Sequence, residues 1–212
     1  MKAQTILLTA LLAWGTCAWA GMEDDVASVR QEWERIKYQT PAKEQEAAFE
    51  KLAKSSAKLM AQYPRQSEPA IWHGIVEASH AGAKGGLGAL ALAKSARKSF
   101  EDALSINPNA LDGSAYTSLG SLYYQVPGWP IGFGDDKKAL ELLQKGLALN
   151  PNGIDPNYFH GDFLFRSGDY AGAEQALRRA LQAPPREGRK VADDGRRKEI
   201  ADLLEKIREK KR

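Results

Sequence analysis

Small and large apolar residues recur along residues 66–186 with the spacing of helices packed in antiparallel pairs. Three segments carry one ladder: Ala96, Phe100, Ala103 and Pro108; Ala139, Leu143, Gly146 and Pro151; Ala173, Leu177, Ala180 and Pro185. Steps of four and three hold side chains on one helix face. Each ladder therefore predicts a helix whose small first and third rungs admit a close neighbour, while the larger second rung fills the gap. The proline falls just past the helix end, where it stops the hydrogen-bonded ladder.

Another helix precedes each ladder, marked by a central glycine. In Tyr116-x-x-Leu119-Gly120-x-x-Tyr123 three large groups share a stripe beside the glycine; His160-Gly161-x-x-Leu164 and Trp72-His73-Gly74 are shorter versions. A helical glycine costs about 1 kcal/mol relative to alanine, so three at matching places point to close packing. No segment shows strand alternation. The pattern predicts helices over residues 24–38, 42–63, 67–80, 89–105, 112–125, 136–149, 156–167, 170–182 and 191–209. Asp135 and Asp169 are placed to cap helices, and Thr40-Pro41 and Asp155-Pro156 each set an acceptor before a proline at a first helical position. Trp33, Leu52 and Leu59 mark a degenerate first pair. Ile200, Leu203, Leu204 and Ile207 form one stripe on the last helix, as suits a terminal cap on an open stack.

These motifs resemble the tetratricopeptide repeat family, whose pattern runs W-x-x-L-G-x-x-Y, A-x-x-x-F and P. The third copy keeps the spacing without a gap, with Gly161, Gly168, Tyr170, Ala173, Leu177, Ala180 and Pro185 in place. Gly161 to Ala173 is 12 residues, but Gly120 to Ala139 is 19 and Gly74 to Ala96 is 22, which implies insertions of 7 and 10 in the other two copies. The resemblance implies an all-α superhelical stack of antiparallel helix pairs, an α-solenoid with a C-terminal capping helix. Its expected divisions are a degenerate pair at 21–65, repeats at about 66–108, 109–151 and 152–186, and a cap with a basic end at 187–212. It also implies a concave face that takes a protein or peptide partner, lined by Thr117, Ser121, Tyr124 and Gln125 in the middle copy and by Tyr158, Asp162, Phe165 and Arg166 in the third. Tyrosine, phenylalanine and arginine are residue types that dominate binding energy at interfaces.

The two insertions differ in character. Gly82 to Gly88 is glycine-rich but lacks a Gly-Lys-Ser/Thr ending and follows a helix, so it predicts a flexible inter-helix loop and not a phosphate cradle. Val126 to Asp135 holds two prolines, three glycines, Trp129 and Phe133. Those aromatics either tuck over the helix ends or stand out as anchors for a partner; tucking is expected, because an exposed tryptophan is costly. With Lys137-Lys138-Ala139 after it, this stretch also resembles the periplasmic T-component of TRAP transporters. That second resemblance implies pairing with a substrate-binding protein and shelter for a small apolar ligand.

The N-terminus changes the compartment. Lys2, an apolar run from Thr5 to Trp14 and Ala18-Trp19-Ala20 read as an export leader cut after Ala20, giving a periplasmic protein that begins at Gly21. Trp14, three residues before Cys17, is a poor lipobox residue, so cleavage is expected over lipidation. Removal of residues 1–20 takes away the only cysteine and with it disulfide, thiolate-metal and thiol-nucleophile chemistry. Nothing beyond the leader is apolar for long enough to span a membrane. The formal charge of +3 argues against a general nucleic-acid binder. Residues 186–212 carry 11 basic and 7 acidic residues. The run from Lys206 to Arg212 could touch an anionic surface, although a solvated helix end beside the negative pole of its dipole accounts for it. His73, His80 and His160 show no metal spacing, and no serine, histidine and carboxylate are ordered for nucleophilic catalysis. No enzyme, cofactor or metal is expected.

Overall fold

The computed structural model describes the backbone of residues 7–212 and the side chains from residue 21 onward; the leader reading at residues 1–20, Cys17 included, lies outside the residues whose side chains are described. Nine α-helices are present among the described residues: α1 Leu7–Gln39, α2 Ala42–Gln62, α3 Ser67–Lys84, α4 Gly86–Ile106, α5 Ser114–Gln125, α6 Asp136–Leu149, α7 Ile154–Arg166, α8 Tyr170–Leu181 and α9 Lys190–Lys210. They stack as antiparallel pairs, and a short turn at Ala110–Gly113, left-handed at Leu111 and Asp112, leads into α5.

The ladder explains the pairing. Ala96, Phe100, Ala103, Ala139, Leu143, Ala173, Leu177 and Ala180 have no exposed surface. Each glycine of the preceding helix receives the large rung of the next. A methyl group on Gly74 would lie 2.6 Å from the Phe100 ring, on Gly120 2.9 Å from Leu143 Cγ, and on Gly161 2.9 Å from Leu177 Cγ. Any side chain at these positions would push its pair apart. Two caps form as the sequence predicts: Asp135 accepts from the Lys138 N–H at 3.0 Å, and Asp169 from the Gly172 N–H at 2.9 Å. Asp155 does not cap α7, which begins at Ile154. Its carboxylate is drawn instead to two arginines, since charge-assisted bonds outweigh a neutral amide donor.

Both insertions take defined forms. The stretch from Gly82 to Gly88 is not a flexible loop: α3 runs to Lys84 and α4 starts at Gly86, so the added residues lengthen both helices around left-handed Gly85 and Gly86. The 126–135 loop closes on itself. The Ile131 and Gly132 N–H groups donate to the Gly128 carbonyl at 3.1 Å, and that of Gly134 to the Pro127 carbonyl at 3.0 Å. Any side chain on Gly132 or Gly134 would strike the Pro127 or Val126 carbonyl.

Helix α9 caps the last pair with Ile200, Leu203 and Ile207, which bury against Ile154, Leu177 and Ala180. It does not leave the stack open. Its first half crosses the concave side to α1: Ala192 joins the core of Trp33, Ile36, Phe49 and Trp72, and Gly195 sits against the Tyr38 ring. The two ends of the stack thus meet. Among the described residues no helix is long and apolar enough to cross a membrane.

Candidate functional site

Inner helices α1, α3, α5 and α7 turn one face to the concave side, and α9 spans it. Between them lies a cavity of about 930 Å³, at the upper end of the roughly 300–1,000 Å³ usual for ligand sites. Six of the predicted residues line it: Thr117, Ser121 and Gln125 from α5, and Tyr158, Asp162 and Arg166 from α7. Arg30, Trp33, Trp72 and Phe159 add basic and aromatic surface. The Arg30 Nε is buried without a partner, so the wall offers a donor that an occupant could use.

The seam between α9 and the inner helices is ionic. Asp155 accepts from Arg186 at 2.7 Å and from Arg196 at 2.8 Å. Burial pushes its carboxyl up, but the Arg196 and Arg186 guanidiniums outweigh this and hold it down at about 2. Arg196 also binds Glu199 at 2.6 Å and lies over the Tyr158 and Phe159 rings at 4.3 and 4.8 Å. Burial pushes the Tyr158 hydroxyl up to about 12. Arg186 reaches Asp193 as well, and Arg189 ion-pairs with Glu34 on α1 while covering Trp72. Sequence reasoning missed this belt. Its sign is the arginine-rich stretch from Arg186 to Arg197, within the basic segment 186–212.

The other predicted residues lie elsewhere. Tyr124 leaves the cavity wall to donate to Asp162 Oδ2 at 2.8 Å, under the Arg166 guanidinium and edge-on to Phe163. Burial, with Asp162 beside it, holds its hydroxyl well above the ordinary tyrosine range. Phe165 turns outward to Tyr170, with ring centroids 5.6 Å apart. The loop aromatics separate. Phe133 tucks edge-on against Tyr123 at 5.5 Å beneath Arg97, as expected, whereas Trp129 stands 90% exposed, contrary to the expectation of tucking. The reason is the closed loop backbone, which turns residues 129 and 131 away from the helices.

The histidines are packed. His73 Nδ1 meets Ser56 Oγ at 2.9 Å and its Nε2 is 3.9 Å from Glu77, but Ser56 has no exposed surface, so no substrate reaches this serine, histidine and carboxylate. Burial lowers the pKa of His73, His80 and His160 alike. Among the described residues no group of histidine, cysteine and carboxylate side chains is arranged for a metal ion.

Comparison with known proteins bears on the fold. The family model described as tetratricopeptide repeat matches residues 154–187, the copy that the spacing marks as gap-free. A solved thermophilic TPR protein of Thermus thermophilus, TTC0263, is similar with a TM-score of 0.57 and 15% identity, over 86% of this chain and 98% of that one. MamA is similar with a TM-score of 0.45 and 18% identity, over 78% of this chain and 90% of that one. No curated protein matches. The chain thus carries one segment that matches the tetratricopeptide repeat, within an all-α solenoid fold similar to that of a solved TPR protein.

Proposed function

We propose that this chain is a tetratricopeptide-repeat adaptor, exported to the periplasm and not an enzyme, that holds a segment of a protein partner in the cavity between its inner helices and α9. The observation that carries this reading is the convergence of Thr117, Ser121, Gln125, Asp162 and Arg166, from two different repeats, on one cavity. Serine, threonine and glutamine there supply adaptable hydrogen bonds, and Arg166, already paired with Asp162 at 3.1 Å, is pre-positioned for a partner's carbonyl or carboxylate. A photo-crosslinking side chain at Gln125, introduced in the native host, is expected to trap one partner protein, while the same group at Glu141 on the outer face of α6 traps none. Adducts at Glu141 and none at Gln125 would overturn the proposal. N-terminal sequencing of the periplasmic form is expected to begin at Gly21.

Closure of the stack by α9 supports a second reading. A partly open cavity bounded in part by Trp33, Trp72 and Phe159 offers the apolar surface on which a small apolar ligand would be sheltered, in the manner of a transport-associated T-component. Its arginine and carboxylate walls count against it, because desolvating them around an apolar guest is costly. N-phenyl-1-naphthylamine discriminates: bright, saturable emission favours the ligand-shelter reading, and none favours the adaptor.

A further inference from the structure

The two insertions, which the repeat pattern does not need, build a single edge of the molecule. The first lengthens the α3–α4 hairpin and ends on Leu87, 91% exposed. The second is the closed loop carrying Trp129 at 90% and Ile131 at 63%. They touch where Leu90 of α4 meets the loop, 3.4 Å from a methyl group placed on Gly132. Leu87 precedes Leu90 by three residues and so shares its helix face. The other exposed large apolar residues, Ile106, Leu149 and Leu181, sit at the C-terminal ends of α4, α6 and α8, and Leu111 in the turn before α5.

This exposure is built. The same ten residues turn Phe133 inward onto Tyr123 and Arg97 and hold Trp129 and Ile131 outward on a backbone that the Gly128 and Pro127 carbonyls fasten. Side chains held this way lose little freedom on docking. Basic charge lies beside them: residues 84–100 contain Lys84, Lys94, Arg97 and Lys98 and no acidic residue, with Lys84, Arg97 and Lys98 ion-paired and Asp135 and Asp136 following the loop. Lys94 lies two turns beyond Leu87 on its face, and neither it nor Lys137 ion-pairs among the described residues.

We propose that this edge seats the protein on an anionic lipid surface, with Trp129, Ile131 and Leu87 entering the headgroup region and Lys94 and Lys137 facing phosphates. The occupant follows from shape and size. The three side chains project and form no groove, and together they expose roughly 500 Å², short of the about 800 Å² that each partner gives to a stable protein interface. A bilayer interface needs no matching shape, favours tryptophan at headgroup depth and attracts neighbouring lysines.

In the chain from Gly21 onward, which lacks Trp14 and Trp19, Trp129 is its own reporter, since Trp33 and Trp72 are buried at 7% and 5% exposure. On vesicles containing phosphatidylglycerol its emission is expected to shift to the blue and to be quenched by brominated acyl chains. Trp129→Phe loses the signal. Ile131→Asp with Leu87→Asp, both at exposed positions and checked for unchanged helicity, keeps Trp129 but abolishes the shift and co-sedimentation. Lys94→Glu with Lys137→Glu weakens binding about tenfold or more on anionic vesicles and leaves neutral phosphatidylcholine vesicles unaffected. Absence of a shift on anionic vesicles, or a shift that survives Ile131→Asp with Leu87→Asp, overturns the proposal. So does a Trp129 shift produced by a captured protein and by no vesicle. Crosslinking from Gln125 reports independently on the cavity.

Discussion

Replacing Asp155 with asparagine removes one charge from the seam that holds α9 to α7 and keeps nearly the same shape. The carboxyl is displaced from 3.8 to about 2, which at about 1.4 kcal/mol per unit corresponds to roughly 2.5 kcal/mol of differential stabilisation. Its side chain is 30% exposed, so solvent screening reduces this to about 1–2 kcal/mol. The substitution also leaves Arg196, whose side chain is 8% exposed, with Glu199 as its remaining anionic partner, adding about 1 kcal/mol for a buried charge less well matched. A total near 2–3 kcal/mol follows, and for a chain of this length that lowers Tm by about 4–12 °C. The sign with pH is fixed by direction. A depressed folded-state pKa contributes fully above the unfolded value and is lost as pH falls through about 2. The deficit of Asp155→Asn should therefore be constant across neutral pH and shrink below pH about 4. Urea denaturation at several pH values measures it. A deficit under about 0.5 kcal/mol at neutral pH would refute an ionic seam and leave the apolar contacts of Ile200, Leu203 and Ile207 as what holds α9.

Gly120→Ala and Gly161→Ala should each destabilise by about 1–3 kcal/mol in denaturant titrations despite alanine's better helix propensity, because the methyl meets Leu143 or Leu177 at 2.9 Å. Phe133→Ala should cost about 2–4 kcal/mol by emptying the contact with Tyr123 and Arg97, while Trp129→Ala stays within about 0.5 kcal/mol; equal melting temperatures for the two would contradict the inward and outward assignment. Proton NMR should titrate His73 below its ordinary 6.5, because burial disfavours the imidazolium. Its contribution is complete above that value and declines as the solution is acidified, partly countered by the neighbouring Glu77, whose carboxyl burial pushes up.

What was legible in the sequence was local. The 4-3-5 ladders and their facing glycines encode a contact between helices adjacent in the chain, and a period read over twenty residues suffices to place it. The cavity wall was legible to the same depth: Thr117, Ser121, Gln125, Tyr158, Asp162 and Arg166 line it from the flank of the paired face, Thr117 also packing on Gly146 of α6. Tyr124 and Phe165 do not line it. Each shares a helix with residues that do face the cavity, but each found a better partner to one side, a carboxylate on the next repeat for Tyr124 and the Tyr170 ring for Phe165. Periodicity gives direction from a helix axis and says nothing of such lateral competition.

The crossing of α9 was illegible for a different reason, and one residue in it was not. Arg189 meets Glu34, and Tyr38 meets Glu199, across more than 150 residues of chain, and charges carry no periodicity that reveals such pairs. Gly195, however, obeys the rule that exposed Gly120 and Gly161 as contact points: a glycine kept within a helix at a cost of about 1 kcal/mol, here because the Tyr38 ring occupies the space a side chain would need. Had that glycine been weighed like the other three, the last helix would have required a close neighbour on two faces, the apolar stripe on one and this gap on another. A helix with two partners cannot be a simple end cap. It joins two parts of the stack, and with one partner fixed as the last repeat, a free end elsewhere in the stack is the remaining place for the other.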